Sequence, residues 1–319
     1  MQRTLLVPLD GRPLAETALP LAGSLARSLG ATLDLVLVVP DHGAIVDAPQ
    51  AYLDRIAGTL DGPSSTRLTT GDPGECIVRE AAAEHVAMVV MTTHARSGVP
   101  RAVMGSVADY VVAHSPAPTL LVRSGCRRTR QVKTIVLAID NSCAAPLATT
   151  IELARACGAR VVLLRAVAFD ETYVWQWGRG PVLAEPQAVV AARQQLNDLA
   201  SKVREAGVDA EVRVEIGEAA PTIVSVGAEV GADVIIMTTH ARHGAQRAIQ
   251  GSVADAVVHW ASQPVLLSRL VAPPPGRPRS IDVVHALQRR QCSLPAQTIP
   301  DGRRFSPVNA MLSGARDPS

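Results

Sequence analysis

The chain has 319 residues, a formal net charge of +2, 47% hydrophobic and 3% aromatic content. That length allows about two domains at the usual ~100–200 residues each, with cores built from Ala, Val, Leu and Ile, a bias that suits helices packed on a buried parallel sheet. The charge provides no global field that argues for nucleic acid or a membrane surface, and no run approaches the ~18 apolar residues of a membrane span.

In chain order, Thr4 to Leu9 is an apolar run ending at Asp10-Gly11 and reads as a strand. Pro13 then opens a helical pattern (Leu14, Ala18, Leu21, Ala22, Leu25, Ala26, Leu29) that Gly30 stops. Thr32 to Val39 is a second strand, and residues 41–48 are loop. Pro49 to Leu60 predicts a short helix ended by Gly62-Pro63, and Arg67 to Thr70 a brief strand. In Gly71-Asp72-Pro73, Asp72 can cap a helix and Pro73 fits its first position; that helix runs to about Glu84. A strand at 86–91, a polar loop, a helix from Ser106 to about His114 and a strand at 119–122 complete the pattern. Alternating strands and helices at this spacing indicate βαβ crossovers and a parallel sheet covered on both faces.

Residues 124–133 read as a basic, solvated linker, and the pattern then restarts. IVLAID at 135–140 matches LLVPLD at 5–10 with an offset of 130, and Gly158 matches Gly30 with an offset of 128. The most telling repeat comes later. MTTHARSGVPRAVMGSVAD at 91–109 is matched by MTTHARHGAQRAIQGSVAD at 237–255, an offset of 146. The change of offset from 130 to 146 makes the second copy 16 residues longer between these points. The extra length coincides with residues 169–187, which hold Trp175 and Trp177 and precede a long helix over 186–206. GEAAP at 217–221 corresponds to GDPGE at 71–75, and the second copy of the last strand is 265–268. Residues 272–319 begin Pro-rich, carry no sustained period and read as mostly disordered. The domains are therefore 1–123 and 134–271.

In a doubly wound sheet, ligands bind beyond the carboxyl ends of the strands, where the strand order reverses. Three places in each copy sit at such ends: Asp10 and Asp140, Val39 and Val167, and the repeated loop. Gly105-Ser106 and Gly251-Ser252 provide a helix start with a hydroxyl and little bulk, followed by Val107 and Val253. Gly98 and Gly244 loosen the loop, and Arg96 and Arg242 add positive charge. Asp10 and Asp140 can accept hydrogen bonds from a ribose or a base amino group, or simply cap the first helix.

At these residues each half resembles a universal stress protein domain, and the whole chain a tandem member of that family. The resemblance covers about 4–123 and 134–270 and rests on VPLDGR and AIDNS, on GDP and GEA, and on THARSG…GSVAD and THARHG…GSVAD. It implies an α/β fold of two doubly wound, mainly parallel five-stranded sheets, Rossmann-like, with an antiparallel edge allowed at the last strand. It also implies pairing of the two last strands, 119–122 with 265–268. One branch of the family binds ATP through Gly-x2-Gly-x9-Gly-Ser/Thr. Here the nine-residue spacing and the final Gly-Ser are kept, but Thr92 and Ala95, then Thr238 and Ala241, stand at the first two glycines. The implied nucleotide-contacting set adds Met91, His94, Met237 and His240, and ATP brings Mg as its counter-ion. The resemblance leaves two readings open: an ATP-binding regulatory module with at most slow hydrolysis, or a nucleotide-free module acting through protein contacts. Either leaves room for a homodimer and an unidentified regulatory protein.

Other chemistry fares worse. His240 and His243 form HxxH, but Ser97 stands at the equivalent of His243 and no carboxylate or cysteine joins them, so no zinc site is expected. Ser106 and Ser252 lack a nucleophile elbow. Cys76, Cys126, Cys143, Cys157 and Cys292 show no CxxC, which fits free thiols in a reducing compartment; Cys76 and Cys157 read as core thiols. The opening MQRTLLVPLDGRP has too short an apolar segment for a signal peptide. A cytoplasmic protein is expected.

Overall fold

Apolar runs of five to eight residues separated by glycine and proline signals become strands, and the amphipathic stretches between them become helices. The computed structural model describes residues 2–41, 47–93, 105–123, 125–126, 131–140, 146–168, 187–239 and 252–269. The first half contains β1 (Thr4–Leu9), a 3-10 turn (Ala15–Ala18), α1 (Leu19–Leu29), β2 (Thr32–Val39), α2 (Pro49–Ala57), β3 (Ser64–Thr70), α3 (Pro73–Ala81), β4 (Val86–Thr93), α4 (Ser106–His114) and β5 (Thr119–Arg123). The second contains β6 (Thr134–Ala138), α5 (Leu147–Cys157), β7 (Arg160–Val167), α6 (Gln187–Glu205), β8 (Ala210–Ile216), α7 (Ala219–Glu229), β9 (Val234–Thr239), α8 (Ser252–Trp260) and β10 (Val265–Arg269).

Local chemistry sets the boundaries. Gly30 and Gly158 end α1 and α5 in the left-handed conformation at φ 62 and 63. Asp72 caps α3 by accepting the Glu75 N–H at 3.0 Å, with Pro73 at the first position. The helix expected from Leu14 begins instead as a 3-10 turn, and α1 proper starts at Leu19. Pro20 sits in its first turn, where a missing N–H costs nothing but where a longer helix would lose a bond. The third strand starts at Ser64, three residues earlier than the hydrophobic pattern marks. Ser64, Ser65 and Thr66 lie on an outer strand whose pairing comes from β2 and whose side chains need not be apolar. The third helix stops at Ala81, short of Glu84.

The strands form one ten-stranded sheet in the order β3-β2-β1-β4-β5-β10-β9-β6-β7-β8. Each half thus keeps the doubly wound order, and both last strands lie parallel to their neighbours β4 and β9. The antiparallel contact falls between the halves. β5 and β10 pair through Leu121↔Val265, Leu120↔Leu266 and Thr119↔Leu267. With the repeat offset of 146, Leu120 and Leu266 are the same position in the two copies. A pseudo-two-fold axis therefore passes through that pair, and the seam is self-complementary in the manner of an isologous dimer. Pairing here also covers two strand edges that would otherwise be open.

Period-2 alternation divides the apolar side chains between the two faces. Leu5, Val7, Leu35, Leu120, Ile135, Leu163 and Leu266 belong to one core, under α1, α2, α5 and α6. Leu6, Val36, Val89, Leu121, Val136, Val162 and Leu267 belong to the other, under α3, α4, α7 and α8. Each core runs across both halves. The seam is reinforced by α1 packing on α5, by an ion pair of Arg3 with Glu152, and by Arg123, which donates to the His259 carbonyl at the end of α8. Asp233 anchors the start of β6, its carboxylate accepting the Lys133 and Thr134 N–H groups at 2.8 and 3.0 Å. Among the described residues no helix is long and apolar enough to cross a membrane.

Candidate functional site

The strand order reverses between β1 and β4 in the first half and between β6 and β9 in the second. At both places the pairing stops short of the carboxyl ends. β1 and β4 pair only over Thr4 to Leu6, although β1 continues alongside β2 to Leu9; Pro8, with no N–H, follows the last paired residue by two. β6 and β9 pair only over Ile135 to Leu137. The strands cease to pair before their carboxyl ends, at the place where open α/β sheets take ligands.

The described candidate residues gather around these strand ends. In the first half Asp10 follows β1, Val39 ends β2, and Met91 and Thr92 lie in the last stretch of β4 pairing, buried with Thr93. Gly105 caps α4 at φ 89, ψ 135, a conformation that excludes an ordinary side chain. Gly105 itself has no side chain with which to cap the helix, and Ser106 is exposed with Val107 half-buried beside it. In the second half Asp140 follows β6, Val167 ends β7, and Met237 and Thr238 lie in the last stretch of β9, which ends at Thr239. Ser252 and Val253 open α8. His94, Ala95, Arg96, Gly98, His240, Ala241, Arg242, Gly244 and Gly251 lie outside the described residues, as do the Trp-bearing insertion and the tail.

The capping role considered for Asp10 is not the one found. Its Oδ1 accepts the Arg12 N–H at 3.0 Å, closing a turn directly after β1, while the 3-10 turn begins behind Leu14. Around it stand groups the sequence did not single out. Tyr52 of α2 is buried near Asp10 and Glu16; burial first, then the Glu16 carboxylate, pushes its phenol well above the ordinary range. Arg55 lies 3.4 Å from Glu16 and over the Tyr52 ring. In the second half Arg165 of β7 reaches the end of β6: its Nη1 donates to the Asp140 carbonyl at 2.8 Å and to Gln195 Oε1 at 2.6 Å. The only signal for it in the sequence is the offset of 128, which sets Arg165 against Leu37.

The last residue of the repeated GSVAD block behaves differently. Asp109 and Asp255 hold the same repeat position on α4 and α8. Burial raises the Asp109 carboxyl and the Asp255 carboxylate raises it further; burial also raises Asp255, with His259 opposing. A carboxyl raised on folding contributes its stability fully below its unfolded value near 3.8 and loses it as pH rises through the folded value. The charged pair therefore weakens the fold at neutral pH. Asp109→Asn should raise unfolding free energy at pH 7 by less than about 1 kcal/mol, given the partial exposure, and leave it unchanged at pH 3. Urea denaturation at both pH values checks this, and an equal gain at pH 3 would contradict it.

Among the described residues no group of three or more His, Cys, Asp or Glu is placed to hold a metal ion. Cys76 is buried and Cys126 and Cys157 are half-buried free thiols, the latter two with pKa values raised chiefly by burial. A cleft lined by Lys133, Arg155, Arg160 and Asp209 lies at the opposite, amino-terminal ends of β6 and β7. Its Arg160 already bonds Thr134 Oγ1 and the Val230 carbonyl and pairs with Glu211.

Comparison with known proteins agrees with the architecture. The chain is 26% identical over 189 residues to universal stress protein Rv2005c of Mycobacterium tuberculosis, covering 57% of this chain and 61% of that one. It thus spans somewhat less than two thirds of that relative's length. A universal stress protein of Thermus aquaticus is 30% identical over 137 residues, covering 39% of this chain and all of the relative. Among solved structures, a putative universal stress protein from Pseudomonas aeruginosa superposes with a TM-score of 0.62 at 18% identity, over 84% of this chain and 93% of the other. A universal stress protein from Archaeoglobus fulgidus gives 0.59 at 16% identity, over 83% and 98%. The model of the universal stress protein family matches residues 50–123 and 131–269, one stretch in each half, and with two such matches over most of its length the chain belongs to the universal stress protein family.

Proposed function

We propose that the chain is a stress-response regulatory module that binds ATP or a related adenine nucleotide, with Mg as counter-ion, at the carboxyl ends of the strands in at least one half. The observation that carries this reading is the start of α4. Gly105 has no Cβ and sits at φ 89 where α4 begins, and Ser106, the first residue of the helix, is exposed beside it. These groups fit a phosphate, which needs close backbone approach and a helix amino-terminus. Asp10 and Asp140 supply acceptors for a ribose hydroxyl or a base amino group, and Val39 and Val167 an apolar wall.

In this reading the chain works by binding rather than by turnover, and any hydrolysis is slow. The two modules are 1–123 and 134–271, acting in the cytoplasm on a protein partner whose choice the nucleotide changes. A second reading is favoured by one observation. Thr92 is 5% exposed, and it stands where the ATP-binding branch of the family has glycine. Its bulk weakens a close approach, leaving a module that acts through protein contacts alone, as a homodimer or on a regulatory protein.

Calorimetric titration with MgATP separates the two. Saturable heat from the unsubstituted protein is expected. A flat titration would discard the nucleotide reading and leave the second.

A further inference from the structure

The two halves fix the end of their first strand by different means. In the first half the turn is local: Arg12 N–H donates to Asp10, and Gly11 between them takes φ 78, where a side chain is strained. The second half has Asn141 at the position of Gly11 and Arg165 at the position of Leu37. Leu37 is buried in the core under α2. On β7, Val161 and Leu163 belong to the same core, so alternation sends Arg165 to that face as well, toward α6. There one guanidinium nitrogen bonds both the Asp140 carbonyl, at 2.8 Å, and Gln195 Oε1, at 2.6 Å.

Arg165 is half-buried there, and the part of its guanidinium taken from water needs hydrogen-bond acceptors in exchange. What Arg165 holds explains its presence. It joins the end of β6, the end of β7 and the middle of α6, a link that leucine cannot make. The helix it reaches is also the one that follows the 16-residue lengthening of the second copy.

We propose that Arg165 is a positioning residue of the second nucleotide site: it fixes the strand end that presents the Asp140 carboxylate and couples that site to helix α6. This rests on the nucleotide reading above. A ligand that hydrogen-bonds Asp140 draws on a strand end braced from α6, so occupancy of the second site stabilises α6 and bracing by α6 strengthens occupancy to the same degree. In the first half Leu37, at the position of Arg165, has no donor with which to bond the end of β1.

The test uses the full chain with one site blocked. Gly105→Trp leaves the second site, and Gly251→Trp leaves the first. MgATP affinity in the Gly105→Trp protein should fall about tenfold on adding Arg165→Leu, the loss expected for a charge-assisted hydrogen bond. Arg165→Lys should recover part of it, because an ammonium still reaches one acceptor. Gln195→Leu, which keeps the bond to Asp140, should weaken binding about threefold. In the Gly251→Trp protein Arg165→Leu should change affinity less than twofold. Hydrogen exchange across Gln187–Glu205 should slow on adding MgATP when Arg165 is present and not when leucine replaces it, a response that a merely structural role would not give. Nucleotide binding that is intact at the second site but indifferent to Arg165 and Gln195, or an α6 whose exchange ignores the nucleotide, would overturn this inference alone. No binding by the unsubstituted chain would overturn the nucleotide reading and this inference with it.

Discussion

Leu266→Asp should lower the unfolding free energy by more than about 4 kcal/mol, the upper range for a single substitution. Leu266 is fully buried and its partner Leu120 is 1% exposed. Removing the leucine forfeits roughly 2–3 kcal/mol of apolar burial. The carboxylate left behind faces Leu120 across the seam, and the neighbouring pairs Leu121↔Val265 and Thr119↔Leu267 bring no cation. An uncompensated buried charge adds several kcal/mol more. Leu120→Asp should cost a similar amount, because the pseudo-two-fold makes the two positions equivalent. Leu68→Asp on the outer strand β3, at a residue 43% exposed, should cost under about 1 kcal/mol. Urea denaturation followed by circular dichroism measures all three. A loss below about 2 kcal/mol for both seam variants would mean that the halves are stable without their shared strands.

The second large effect concerns the helix start. Gly105→Trp together with Gly251→Trp should weaken MgATP binding at least 100-fold, which is about 2.7 kcal/mol. Two costs combine, and a smaller substitution separates them. Any side chain at φ 89 strains the backbone by about 1–3 kcal/mol, and Gly105→Ala bears that cost alone. The indole adds bulk where a phosphate would approach the N–H groups of Ser106 and Val107. Alanine should therefore lower melting temperature with a modest loss of affinity, and tryptophan should remove binding at similar stability. Calorimetric titration of the double variant measures the loss; affinity equal to that of the unsubstituted chain would place the nucleotide elsewhere or nowhere.

Much of the fold was legible because the relevant signals are local. TLDLVLVV at 32–39 is a buried strand by composition, Gly30 and Gly158 end helices by their backbone freedom, and Asp72-Pro73 is a helix start by hydrogen bonding and ring geometry. The differences arise where tertiary pairing overrides local pattern. Ser64, Ser65 and Thr66 are polar and still join β3, because β2 supplies the backbone partners. Pro20 divides what the apolar period draws as one helix. The site was legible as far as the repeat reaches: Asp10, Val39, Thr92 and Gly105 are marked by position relative to strands. Tyr52, Arg165 and Gln195 were missed because nothing in their own neighbourhoods announces them. Their roles exist only once α2 and α6 are laid against the ends of β1 and β6.

The strand order also has a consequence in time. β10, the last described element, sits beside β5 in the middle of the sheet. While the chain is being made, β5 is complete about 140 residues before Val265 appears, a wait of roughly 7–28 s at ~5–20 residues per second. Through that interval Leu120, Leu121 and Val122 border an edge with no partner of their own chain. Two nascent chains on neighbouring ribosomes carry matching edges, and what decides between a correct fold and an exchanged one is the arrival of Val265–Arg269.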